Sequence, residues 1–152
     1  MPNRDDPSPV RHIDPPPAVP VVVFLCVHNA GRSQMARAWF EHLAGGRAVA
    51  RSGGSEPADA VNPAAVQAMA EVGIAIGGER PKRWTDEGVR AADVVVTMGC
   101  GDACPVFPGT RYEDWELEDP AGKDLDVVRR VRDEIGGRVR LLLADLVPEP
   151  TT

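Results

Sequence analysis

The sequence predicts an α/β fold, a single three-layer domain whose four-stranded parallel sheet carries helices on both faces. Three observations predict it. Apolar runs of strand length alternate along the chain with stretches of helical periodicity. The first run, VVVFLCV at residues 21–27, is apolar throughout, as a strand covered on both sides must be. The 152 residues, 43% of them hydrophobic, suit one core, with no internal repeat to suggest another architecture.

The elements follow in order. Residues 1–20 hold the consecutive Pro15, Pro16 and Pro17 and nothing periodic to bury, so a mobile extended tail is expected. After the first strand, Met35, Ala36, Trp39, Phe40 and Leu43 fall at helical spacing over residues 33–43, and Gly45-Gly46 closes that helix. Trp39 and Phe40 are core candidates. Residues 47–51 read as a second strand, followed by the turn-rich SGGSEPADA. Asn62-Pro63 is a helix N-cap with proline at the first helical position. Val66, Met69 and Ala70 supply that helix's apolar face, and Gly73 stops it. Thr85, Asp86 and Glu87 open a short helix with acidic residues at its positive end. DVVVTM at residues 93–98 gives a third strand, and residues 111–117 a fourth at the sheet edge, with Trp115 and Leu117 on one side. In the last helix Val128, Val131, Ile135, Val139, Leu142 and Leu146 step by three or four. Gly136-Gly137 marks a place for a bend, since each glycine costs a helix about 1 kcal/mol. The domain is thus expected over residues 21–148, with 149–152 a short tail.

Composition excludes several function classes. A net charge of −6 argues against a general nucleic-acid binder, which needs clustered Lys and Arg. The basic run Arg129, Arg130, Arg132, Arg138 and Arg140 reads as the solvated face of the last helix. No run of about 18 apolar residues suggests a membrane span. No apolar segment of signal-peptide type precedes the domain, so a cytoplasmic location is expected. The three cysteines, Cys26, Cys100 and Cys104, are an odd number, which points to reactivity or metal binding over a disulfide framework.

Chemistry concentrates in CVHNAGRS, residues 26–33. Ligands of doubly wound folds bind beyond the carboxyl ends of the strands, and Cys26 ends the first one. Val27, His28, Asn29, Ala30 and Gly31 then curl toward the helix that starts near Ser33. Backbone N–H groups in such a curl can face an anion, helped by the positive helix end. Ala30 and Gly31 permit close approach, and Asn29 tolerates a left-handed backbone. Arg32 adds a planar fork matched to two oxygens of a tetrahedral oxyanion. The same field favours a nucleophilic thiolate at Cys26, to which Ser33 can donate. His28 reads as a rim side chain; His12 and His42 belong to the tail and a helix surface. Trp84 lies near the rim or packs beneath it.

This stretch resembles the C-x-x-N-x-x-R-S loop of the low-molecular-weight protein tyrosine phosphatases and of the arsenate reductases that share their fold. Both use the cysteine as nucleophile on a tetrahedral oxyanion. A second cluster, TMGCGDACP, places Cys100 and Cys104 after the third strand. A phosphatase needs neither, whereas a reductase must export electrons as a disulfide. In WELEDPAG, Asp119 precedes Pro120 and suits a carboxylic acid reaching over the loop to protonate a leaving oxygen. Together these stretches resemble the thioredoxin-coupled, three-cysteine arsenate reductases, in the variant with a short loop between the second and third cysteines found in high-GC Gram-positive bacteria. The tyrosines usual after the Asp-Pro of the phosphatases are replaced by Ala121-Gly122.

The resemblance implies that Arg32 and the loop bind arsenate, with phosphate or sulfate competing, and that Cys26 attacks it while Asp119 protonates the leaving oxygen. Cys100 and then Cys104 carry the disulfide outward to an external thiol, either thioredoxin or mycothiol with a mycoredoxin. It implies a monomer and no bound cofactor or metal. The competing readings are an arsenate–mycothiol transferase using Cys26 alone, a phosphatase of the same fold, and a module holding zinc or arsenite on the three thiolates, to which His28 adds a nitrogen.

Overall fold

The computed structural model describes residues 19–99 and 105–147. Residues 1–18 of the expected tail, Cys100, Cys104 and residues 149–152 lie outside them. Strands β1 (Val21–Cys26), β2 (Val49–Gly54), β3 (Val94–Thr97) and β4 (Arg111–Asp114) pair in parallel in the order β2-β1-β3-β4. β1 is therefore central, and the chain leaves it toward β2 on one side and joins β3 on the other. Its carboxyl end is the point where the topology switches direction.

Side chains of β1 alternate between two cores. Val22, Phe24 and Cys26 face the larger one, with Val94 and Val96 beside them. Helices α1 (Arg32–Ala44), α2 (Pro63–Glu71) and α4 (Leu125–Leu146) cover this face. Phe24 is fully buried, its ring 5.9 Å from Phe40 and 5.8 Å from Trp115. Burial of one such ring contributes roughly 2–3 kcal/mol. Val23, Leu25 and Val95 face the smaller core, closed by Val89 of α3 (Asp86–Arg90) and by Trp84, Phe107 and Tyr112. Among the described residues no helix is long and apolar enough to cross a membrane.

The expected caps are present. Asn62 Oδ1 accepts from the Ala64 N–H at 2.9 Å, and Thr85 Oγ1 from the Gly88 N–H at 3.0 Å. Gly45 ends α1 in the left-handed region at φ 57°.

Four local expectations need correction. β2 runs to Gly54 and not only to residue 51, because it pairs with β1 along its whole length, from Val21 opposite Val49 to Cys26 opposite Gly54. α2 buries Ala65, Ala68 and Met69, while Ala70 is exposed and Val66 half-buried, so the helix is rotated from the face read in sequence. α4 is unbroken through Gly136-Gly137. Gly136 is there for contact: a Cβ would lie 3.0 Å from Trp39 Cε2, and Trp39 Nε1 donates to the Arg132 carbonyl at 3.1 Å.

Arg132 is the fourth, being buried where a solvated face was expected. Its guanidinium donates to the Ala68 carbonyl at 3.0 Å, to Glu71 Oε1 at 2.8 Å and to Asp133 Oδ1 at 2.8 Å. Arg129 also grips Glu71, at 2.7 Å to Oε2. The hydrogen bond from Arg129 first, and then Arg132, hold the Glu71 carboxyl down to about 2 from its ordinary 4.5.

Two predictions follow from this packing. Gly137→Ala, facing open space, should stabilise by ~0.5–1 kcal/mol. Gly136→Ala should instead lose about 1 kcal/mol or more through overpacking against Trp39, both read as shifts in the urea midpoint. Because the folded carboxyl is depressed, the Glu71 clasp contributes stability above pH 4.5 that is lost as pH falls toward about 2. Glu71→Gln should flatten the acid-unfolding profile across that window while leaving its shape above pH 6 unchanged.

Candidate active site

The loop of residues 27–31 leaves the end of β1 and delivers the chain into α1. Its carbonyls are all taken from outside. Those of Cys26, Val27, His28 and Ala30 accept from the N–H groups of Ser55, Glu56, Ala58 and Asn62, at 2.8–3.3 Å. The Asn29 carbonyl accepts from Gln34 Nε2 at 3.2 Å. With every carbonyl turned to a partner, the N–H groups of residues 27–33 have no acceptor among the described residues. They are free for an anion, at the positive end of α1.

Asn29 sets the curl, with φ 50° and no exposure to solvent. Its side chain links Lys82 to the hydroxyl beside the sulfur. The backbone N–H of Lys82 must donate, at 2.9 Å, so it meets Asn29 Oδ1 and orients the amide. Asn29 Nδ2 then donates to Ser33 Oγ at 2.7 Å. Ser33 Oγ lies 2.8 Å from Cys26 Sγ, a hydrogen bond in which either atom can donate. Cys26 Sγ thus shares a hydrogen bond with a buried hydroxyl at the floor of the loop.

Arg32 is 7% exposed. Nη1 reaches the Leu117 carbonyl at 3.5 Å and Nη2 lies 3.5 Å from Asp119 Oδ2. The backbone of Gly99, at φ 91°, comes so close that a Cβ would stand 2.6 Å from Nη1. Asp119 is half exposed at the rim, its Oδ1 accepting from the Ala121 N–H at 3.0 Å. Pro120 closes down on Gly31, with Cγ 3.2 Å from where a Cβ would be. The resulting cleft of ≈ 240 Å³ is lined by Cys26, Arg32 and Asp119, with the small residues Ala58, Ala60 and Gly122 at its walls. That space has room for a tetrahedral oxyanion.

The structure therefore gathers Cys26, His28, Ala30, Gly31, Arg32 and Asp119 around one cleft, while Val27, Asn29 and Ser33 belong to the same loop but do not line it. His28 stands exposed with Nδ1 at 3.1 Å from the Glu56 carbonyl, a rim position. Trp84 packs in the smaller core, away from the cleft. Cys100 and Cys104 lie outside the described residues; Gly99, next before Cys100 in the chain, packs on Arg32. Sequence reasoning missed Gln34, Lys82 and the Gly53-Gly54 pair. A Cβ on Gly54 would fall 2.6 Å from the Val27 carbonyl, and one on Gly53 2.9 Å from the Trp84 backbone. Paired glycines in a strand signal close backbone approach and could have been read so. Nothing local signals Gln34 or Lys82.

Gly99→Ala and Gly109→Ala make a matched pair, at φ 91° and 86°, so both carry the same backbone strain and only the first meets Arg32. Inorganic phosphate affinity by calorimetry should fall about tenfold or more for Gly99→Ala and stay within twofold for Gly109→Ala.

Comparison with known proteins agrees with this geometry. Residues 21–150 match the family described as low molecular weight phosphotyrosine protein phosphatase. Arsenate reductase 2 of Staphylococcus saprophyticus is 40% identical over 123 residues, which are 78% of this chain and 92% of that protein. The solved thioredoxin-dependent arsenate reductase of Corynebacterium glutamicum superposes with a TM-score of 0.73 at 44% identity, over 84% of this chain but 61% of that longer one. An arsenate reductase in the phosphate binding state superposes with a TM-score of 0.75 at 36% identity, over 84% of this chain and 99% of that one. With a cysteine, a cradle of free amides and an arginine at the end of the central strand, and with that match over residues 21–150, the chain belongs to the low molecular weight phosphotyrosine protein phosphatase family.

Proposed function

We propose that this protein is an arsenate reductase, with Cys26 as the nucleophile and an external dithiol as the source of electrons. The observation that carries this reading is the line from Lys82 through Asn29 and Ser33 to Cys26 Sγ, lying beneath a cleft bracketed by Arg32 and Asp119. Arsenate reductases of matching length and solved structure support it.

In the first step the Arg32 fork and the free loop amides hold arsenate. The Cys26 thiolate attacks arsenic, forming an S–As bond, and one As–O bond breaks. Asp119 passes a proton to that oxygen, which departs as water. Cys100 as thiolate then attacks Cys26 Sγ. A disulfide forms, the S–As bond breaks, and its electron pair stays on arsenic, so As(V) becomes As(III) and leaves as arsenite while two thiols are oxidised. Cys104 attacks Cys100, freeing Cys26 and leaving a Cys100–Cys104 disulfide for thioredoxin to open. The small walls of the cleft suit a bare oxyanion better than an aryl phosphate, and phosphate itself is a competitor.

Cys26→Ser should abolish arsenate-dependent NADPH consumption in the presence of thioredoxin and its reductase. Cys104→Ser should give about one turnover per chain and then stall, because the disulfide has no outward step. Steady cycling of Cys104→Ser with thioredoxin would remove the relay. Turnover with mycothiol and a mycoredoxin but not with thioredoxin would keep Cys26 as nucleophile and change the reductant.

A further inference from the structure

A second cleft, ≈ 480 Å³ and twice the size of the catalytic one, lies behind the loop, between the edge strand β2, the segment of residues 82–85 and α3. Its apolar floor is Val23, Val89 and Trp84, members of the smaller core. Its rim is cationic, with Arg37, Arg51, Lys82 and Arg83 against two carboxylates, Glu41 and Glu79. Both carboxylates already pair with Arg37.

The other three cations have no carboxylate partner among the described residues. Arg51 is exposed on β2 and makes no side-chain bond among the described residues. Lys82 Nζ reaches only Ser52 Oγ, at 3.3 Å. Arg83 donates to the Ser55 carbonyl at 2.9 Å and lies 5.1 Å from the Trp84 ring centroid. Four cations against two carboxylates give this opening a positive excess in a chain of net charge −6. Burial, and then the charge of Arg37, push the Lys82 ammonium down from its usual range, against the opposing charges of Glu79 and Glu41.

We propose that this cleft binds a small organic anion, a carboxylate carried on a flat apolar ring, at a site separate from the catalytic loop. The ring lies on the floor formed by Val23, Val89 and Trp84, and the carboxylate meets Arg51, Lys82 and Arg83. A bare oxyanion prefers the catalytic cradle, with its free amides and buried Arg32. The apolar floor is what selects a ligand with a body.

The test is calorimetric titration of the full chain with naphthoate, in saturating inorganic phosphate to fill the catalytic loop. The expected result is saturable binding of one probe per chain despite the phosphate. Arg51→Glu and Lys82→Met should each weaken it about tenfold or more. Arg51 has no partner to lose among the described residues, and Lys82→Met keeps the backbone N–H donated to Asn29, so both variants should fold. Naphthamide, the uncharged analogue, should bind at least tenfold more weakly. Loss of binding in phosphate, equal affinity in both variants, equal affinity for the amide, or no saturable binding at millimolar probe would each overturn the proposal. No arsenate and no turnover enter the measurement, so its outcome stands apart from that of the reductase reading.

Discussion

One buried amide, that of Asn29, holds three parts of the molecule in register: the loop after β1, the first turn of α1 and the segment that runs along the edge of β2. Its Oδ1 takes the Lys82 N–H and a hydrogen of Gln34, and its Nδ2 goes to Ser33. Burying an amide without partners would cost several kcal/mol, so these bonds are an obligation as much as a gain. They also keep a non-glycine residue at positive φ, a conformation that asparagine tolerates better than most. Without that turn the loop N–H groups could not converge, and the thiol would meet no oriented hydroxyl.

Close backbone approach does the rest. Gly54 lets β2 lie against the Val27 carbonyl, Gly31 admits Pro120, and Gly99 admits the Arg32 guanidinium. In each case a methyl group would stand within 3.2 Å of an atom of the site. The cleft is thus formed by main chain more than by long side chains, which gives a rigid cradle of fixed dipoles. Rigidity here rests on the two cores beneath, since β1 is buried on both faces and paired on both edges.

Far from the cleft, α2 and α4 are joined by charge. Glu71 meets Arg129 and Arg132, and Arg132 also takes the Ala68 carbonyl in the last turn of α2. This clasp holds the helix that follows residues 55–62, the segment whose N–H groups take the loop carbonyls. A surface ion pair alone contributes little, but a buried guanidinium that also meets a helix carbonyl fixes orientation.

Read alone, the sequence determined the fold class, the central strand, both ends of α1, the caps at Asn62 and Thr85, and the meeting of Cys26, Arg32 and Ser33 in one loop. Each of these rests on chemistry within a few residues: periodicity, caps and turn residues act locally. Tertiary structure decided the length of β2, which follows its pairing with β1, and the face that α2 buries, which follows α4. It also decided that Arg132 is buried and that Gly136 faces an indole in place of bending the helix. The supports of Asn29 were illegible for the same reason. Lys82 lies 53 residues away in the chain, and Ala68 lies 64 from Arg132. Contacts of that span are chosen by how whole elements pack, and no local pattern of residues carries them.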